Sequence, residues 1–175
     1  MDKVLLVTGG SRGIGAATCR LAAQAGWAVA VNYTANSLAA DEVVRAIRAE
    51  GGRAMAVQAD VADEAQVLRM FEQVDAQLGR LTGLVNNAGV VDVTARLDQM
   101  SVARWRRMFD INVIGSMLCA REAVRRMSTR HGGEGGAIVN VSSAASRLGS
   151  PGQYVDYAAA KGAIDTFTIG LAKEV

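Results

Sequence analysis

The chain alternates short, uninterrupted apolar runs with longer stretches of helical period, and this alternation constrains its architecture most. Val4–Val7, Ala28–Val31, Ala54–Ala59, Leu84–Val85 and Ala137–Val141 are strand-length runs. Between them lie helical patterns at Gly13–Ala25, Ser37–Glu50, Asp63–Leu78 and Ser101–Met127, and a last one follows at Gln153–Val175. Gly26 and the Gly51-Gly52 pair stop the first two helices, and Asp63 reads as the N-cap of the third. Runs that are apolar throughout, rather than alternately apolar, fit strands buried on both faces. Strand-helix alternation with such strands predicts an α/β fold: a doubly wound parallel sheet of the Rossmann type with five strands.

Length and composition agree. The chain has 175 residues, half of them hydrophobic, with a formal net charge of +2. That apolar fraction fills one core and argues against disorder. The small charge gives no reason to expect nucleic acid or a membrane surface as partner. No apolar run approaches the roughly 18 residues that span a bilayer. Met1-Asp2-Lys3 before Val4 is wrongly flanked for a signal peptide, so a cytoplasmic location is expected. Cys19 and Cys119 read as small apolar helix residues in a reducing compartment. His131, the single histidine, falls before a glycine pair in a loop, so neither a metal site nor a Ser-His-Asp mechanism is expected.

The first strand runs into Thr8-Gly9-Gly10-Ser11-Arg12-Gly13-Ile14-Gly15, where a helix opens. A glycine-rich turn there lets the backbone approach a pyrophosphate, and the helix N-terminus offers free N–H groups and positive dipole. No Lys-Ser or Lys-Thr follows the glycines, which excludes a nucleoside-triphosphate loop. Tyr157 and Lys161 lie four apart on the last helix and therefore share a face. An ammonium near a phenol favours the phenolate and suits the tyrosine to proton transfer.

The Thr-Gly-x-x-x-Gly-x-Gly spacing resembles the short-chain dehydrogenase/reductase family, with Gly9, Gly13 and Gly15 in its three glycine positions. Further segments match in order. Asp60-Val61 stands where similar enzymes place an acid beside the adenine. Asn86-Asn87-Ala88-Gly89 matches the segment along the cofactor, Asn112 the helical asparagine, Ser142-Ser143 the serine position, and Tyr157 to Lys161 the Tyr-x-x-x-Lys. The resemblance implies an oxidoreductase that moves hydride between a nicotinamide and a carbonyl or secondary alcohol. Asn112, Ser143, Tyr157 and Lys161 are its expected catalytic set. The expected cofactor contacts are Gly9, Ser11, Arg12, Gly13, Ile14, Gly15, Tyr33, Asp60, Val61, Asn87, Ala88, Gly89, Tyr157 and Lys161.

Within that set, Ser143 aligns better than Ser142 and is preferred; it would hydrogen-bond the substrate oxygen. Tyr154 has Ala158 four residues on, so it lacks a lysine partner and is expected to border the substrate. By resemblance Asn112 holds a water linking Lys161 to solvent; its alternative is a polar residue that kinks its helix. The acid that would accept an NAD ribose at the second strand end is absent, since Tyr33 stands there, and Arg12 offers a partner for an extra phosphate. NADP(H) is therefore expected over NAD(H), with Asn32 and Thr34 left open as ribose partners.

The family implies a homo-oligomer, tetramer or dimer, built through the 101–127 helix and the last helix. It also implies further C-terminal strands, a proline-glycine segment and a substrate-covering loop, none of which occurs here. The chain thus reads as a single dinucleotide-binding domain over residues 1–175 with its C-terminal strands missing. A non-catalytic dinucleotide sensor or scaffold is the rival reading. A nucleotide-sugar epimerase would more naturally carry Gly-x-x-Gly-x-x-Gly.

Overall fold

The computed structural model describes residues 3–175; Met1 and Asp2, part of the N-terminal reading, lie outside the described residues. Five strands, β1 (Val4–Val7), β2 (Ala28–Tyr33), β3 (Ala54–Gln58), β4 (Gly83–Asn86) and β5 (Ala137–Asn140), form one parallel sheet in the order β3-β2-β1-β4-β5. Three helices make the crossovers on the β1–β4 side of the sequence: α1 (Gly13–Gln24), α2 (Ser37–Ala49) and α3 (Glu64–Leu78). Beyond β4 come α4 (Val102–Phe109), α5 (Gly115–Met127), the single turn α6 (Ala145–Leu148) and α7 (Val155–Glu174). The strand order reverses between β1 and β4, and in open α/β sheets the crevice beyond the strand ends at such a point is where ligands bind.

The apolar strands serve two cores because the sheet is covered on both faces. Val4, Leu6, Ala28 and Ala30 point to one side with Phe71, Met70 and Cys119; Leu5, Val7, Val29 and Val31 point to the other with Cys19, Val43 and Ile47. This is the period-2 consequence of placing helices on each side. Both cysteines are free and buried, and burial pushes each thiol up to about 12, so they behave as small apolar residues. β5 differs: Val139 is 54% exposed, and among the described residues β5 has a strand neighbour on one side only. No described helix is long and apolar enough to cross a membrane.

The helix expected over 101–127 is two helices joined by a π-helical turn at Asp110–Ile114. The cause is local. Asn112 sends its side-chain Nδ2 to the Met108 carbonyl at 2.9 Å, competing for an acceptor that the helical ladder would use, and Gly115 N–H bonds back to the Asp110 carbonyl. The expected start of the last helix at Gln153 moves to Val155, because Gln153 and Tyr154 bond back to the Ser150 carbonyl in a turn.

Candidate functional site

The glycine loop is held by polar side chains at or just past the ends of three strands, Asn32 on β2, Thr8 after β1 and Asn87 after β4. Asn32, at the end of β2, accepts the Gly9 N–H on Oδ1 at 3.1 Å and donates Nδ2 to the Val57 and Ala59 carbonyls. Thr8 Oγ1 accepts the backbone N–H of both Asn87 and Ala88 at 3.0 Å. Asn87 Nδ2 returns to the Thr8 and Gly9 carbonyls at 3.0 and 3.1 Å. Gly9 and Gly13 take positive φ values of 61° and 52°, which a side chain would resist. At Gly15 a Cβ would run into the Gly9 carbonyl oxygen and sit 2.6 Å from Asn87 Nδ2, so only glycine lets α1 start this close to the loop.

This arrangement fits a dinucleotide pyrophosphate. The α1 N-cap, Arg12, makes no side-chain capping bond, leaving the first-turn amides to an anion. Arg12, Gly13 and Ile14 are exposed at that end, Ile14 by 67%, and Ser11 is half-buried. Tyr33 ends β2 and packs partly against the core that includes Val31. Asn32 is buried and its amide is spent on backbone, so it is unsuited to the ribose contact left open above; Thr34 is exposed. Asp60 accepts the Ala62 N–H on its carboxylate in a turn after β3, while Val61 is buried and presses on Gly115.

A cleft of 540 Å³ opens beside the loop, lined by Ile14, Asn87, Gly89 and Val90 on one side and by Ser142, Ser143, Tyr154, Tyr157 and Lys161 on the other. Tyr157 and Lys161 thus face one space, with Lys161 Nζ 5.7 Å from the Tyr157 ring centroid. Lys161 is only 6% exposed and donates to the Val141 carbonyl at 2.8 Å. Burial holds its ammonium below the ordinary lysine value, against the opposing pull of the Asp165 carboxylate. Another cavity, 560 Å³ around Trp27, Ile47 and Gly52, lies at the opposite ends of the strands, where this architecture does not place ligands.

The two serines part company. Ser142 Oγ donates toward the Lys161 carbonyl at 3.5 Å and interacts with the Asp165 carboxylate on α7. Ser143 Oγ accepts the Ala145 N–H at 3.2 Å, a bond that leaves its own hydrogen free to donate. Tyr154 lines the cleft as expected, and its hydroxyl takes a hydrogen bond of 2.9 Å from Thr94. Asn112 is fully buried: Oδ1 accepts the Val90 N–H and Nδ2 serves the Val90 and Met108 carbonyls. It therefore both interrupts the helix and pins the segment after Gly89. The structural roles of Thr8 and Asn32 were not anticipated from the sequence; a polar residue flanking a strand run was the available signal for both.

The family model for short chain dehydrogenases matches residues 3–175. An uncharacterized oxidoreductase of Escherichia coli, YgfF, is 56% identical over 172 residues, covering 98% of this chain and 70% of that protein. The 3-oxoacyl-[acyl-carrier-protein] reductase of Synechocystis is 42% identical over 99% of this chain and 68% of that protein. A solved short-chain dehydrogenase/reductase of Serratia marcescens superposes with a TM-score of 0.91 at 35% identity, covering 98% of this chain and 68% of that one.

Replacing Asn32 by Ala strands the Gly9 N–H and two strand-end carbonyls. We expect a loss of about 1–3 kcal/mol in urea unfolding, with weaker nucleotide binding by fluorescence titration. With the nucleotide loop, the cleft and these likenesses together, the chain belongs to the short-chain dehydrogenase/reductase family, enzymes that carry out nicotinamide-dependent oxidation and reduction.

Proposed function

We propose that the protein interconverts a carbonyl and a secondary alcohol, with Tyr157 as the general acid and base. The observation that carries this reading is the shared cleft: Ser143, Tyr157 and Lys161 line it together with Asn87 and Gly89, next to the glycine loop. A nicotinamide cofactor, held at the glycine loop and along Asn87–Gly89, supplies or takes up the hydride. Tyr157 gives its hydroxyl proton to the substrate oxygen on reduction and recovers it from the alcohol on oxidation. Ser143 donates to the same oxygen and steadies the charge that grows there. Lys161 keeps a positive charge beside the phenol and binds the ribose hydroxyls. Both Asn112 Nδ2 hydrogens are engaged, so a water relaying protons from Lys161 would donate to an Asn112 oxygen, either Oδ1, which accepts the Val90 N–H, or the backbone carbonyl, which accepts from Ser116 Oγ at 3.2 Å.

For the cofactor we favour NADP(H): no carboxylate stands at Tyr33, and Arg12 projects, exposed, from the start of α1. We favour a homo-oligomer as well, because Phe109, Ile114 and Met117 around α5 and Ile169 on α7 are exposed apolar side chains. The reduced, buried cysteines suit a cytoplasmic setting. The substrate class is narrowed by a panel of a 3-oxoacyl thioester, a cyclic ketone, a quinone and an aldose, followed by nicotinamide absorbance.

Tyr157→Phe is expected to lower turnover of the best panel member by about 10²–10⁴-fold with cofactor affinity retained. Turnover near wild type would defeat the acid-base role of Tyr157, whereas nucleotide binding with no turnover of any panel member by the wild type would favour a dinucleotide sensor. Lys161→Met should also abolish turnover, yet raise Tm or leave it unchanged. A depressed lysine pKa means the charged form costs stability at neutral pH, and that cost fades as pH rises through the folded value; a clear fall in Tm would contradict this. NADPH should bind at least about tenfold tighter than NADH, and Arg12→Ala should remove most of that difference in a fluorescence titration.

A further inference from the structure

A buried ion pair is anchored at the residue preceding Tyr157. Arg104 on α4 grips Asp156 in the first turn of α7, Nε to Oδ2 at 2.7 Å and Nη2 to Oδ1 at 3.2 Å, and its Nη1 donates to the Val93 carbonyl at 2.6 Å. The side chains are 9% and 2% exposed. Burial opposes the Asp156 charge, yet Arg104 and the Tyr157 backbone N–H hold the carboxyl below its ordinary value. Neither residue lines the cleft.

Adhesion does not explain the pair. Met108, Val113 and Ala160 already pack α7 against the α4–α5 region, with Tyr157 and Val90 at their edge. A buried ion pair is, moreover, seldom more stabilising than an apolar pair of the same volume. A two-pronged guanidinium–carboxylate contact does supply direction, because both bonds fail when either partner rotates. Direction is what this turn lacks, since the α7 N-cap, Tyr154, makes no side-chain capping bond.

We propose that Arg104 and Asp156 are positioning residues that set the rotation of the first α7 turn, and with it the place of the Tyr157 hydroxyl in the cleft. The inference rests on the reading of Tyr157 as acid and base. The third arm to Val93 couples the same pair to the chain that continues from Val90 and Val91 on the opposite wall.

The test compares Arg104→Met/Asp156→Leu, Asp156→Asn and Arg104→Lys in the intact protein, using the fastest member of the carbonyl panel with NADPH. The apolar double variant should keep its Tm within a few degrees and its NADPH Kd within twofold. Its kcat should fall about 10- to 100-fold with a smaller change in KM, and Arg104→Lys should recover part of the loss. Amide exchange of the peptide over residues 150–158 should quicken at least tenfold in the double variant. If that variant does not fold, Asp156→Asn carries the same expectations at lower magnitude. Unchanged kcat in a folded variant, or unchanged exchange of that peptide where no panel member is turned over, would overturn the inference. Tyr157→Phe, run alongside, separates the two failures: an active Tyr157→Phe defeats the acid-base reading, whereas an inactive one beside a fully active double variant defeats only the positioning role.

Discussion

The site depends on a polar clamp buried where the strand order reverses. Asn87 follows β4 but reaches across to the carbonyls of Thr8 and Gly9 after β1, and Thr8 answers by accepting the N–H groups of Asn87 and Ala88. Asn32 completes the clamp from β2. Loops leaving strand ends have no ladder to satisfy their backbone, and unsatisfied buried groups are costly. Here side-chain amides and one hydroxyl take over that task, so the glycine loop is rigid before any ligand arrives. That rigidity lets α1 begin with uncapped amides pointing outward.

The cleft shows the opposite tendency, with groups held where stability alone would not put them. Lys161 keeps one hydrogen bond, to Val141, in a place that disfavours its charge. Asn112 takes a helical acceptor away from the ladder and produces a π-helical turn. Such departures cluster at functional sites because surrounding packing can hold them in place. The cores flanking the sheet, centred on Phe71 and on Val29 and Val31, supply that packing.

Much of this was legible beforehand, for identifiable reasons. Strand positions followed from apolar runs buried on both faces, though β2 and β4 run on past the apolar residues to Tyr33 and Asn86, and the Asp63 cap appears where a short polar side chain precedes a helical period, accepting the Gln66 N–H at 3.0 Å. Ser143, Tyr157 and Lys161, named from short motifs, line one cleft. The break at Asp110 was legible only as the alternative role of Asn112, a polar residue that kinks its helix; its π-helical form was not, since Asp-Ile-Asn-Val-Ile continues a helical pattern and the competing bond belongs to a rotamer. Asn32 looked like a candidate for the ribose; whether an amide faces solvent or the strand beside it depends on the pairing of β2 with β3.

Periodicity and glycine placement, which act over a few residues, therefore specified the strands, the first three helices and the phosphate loop from local sterics and burial alone. Partners distant in sequence could not be read that way. Arg104 and Asp156 are 52 residues apart, and Thr8 and Asn87 are 79 apart. Each pair meets because parallel strands and their crossovers deliver both residues to the same end of the sheet, and burial then makes a hydrogen bond obligatory where solvent would have made it optional.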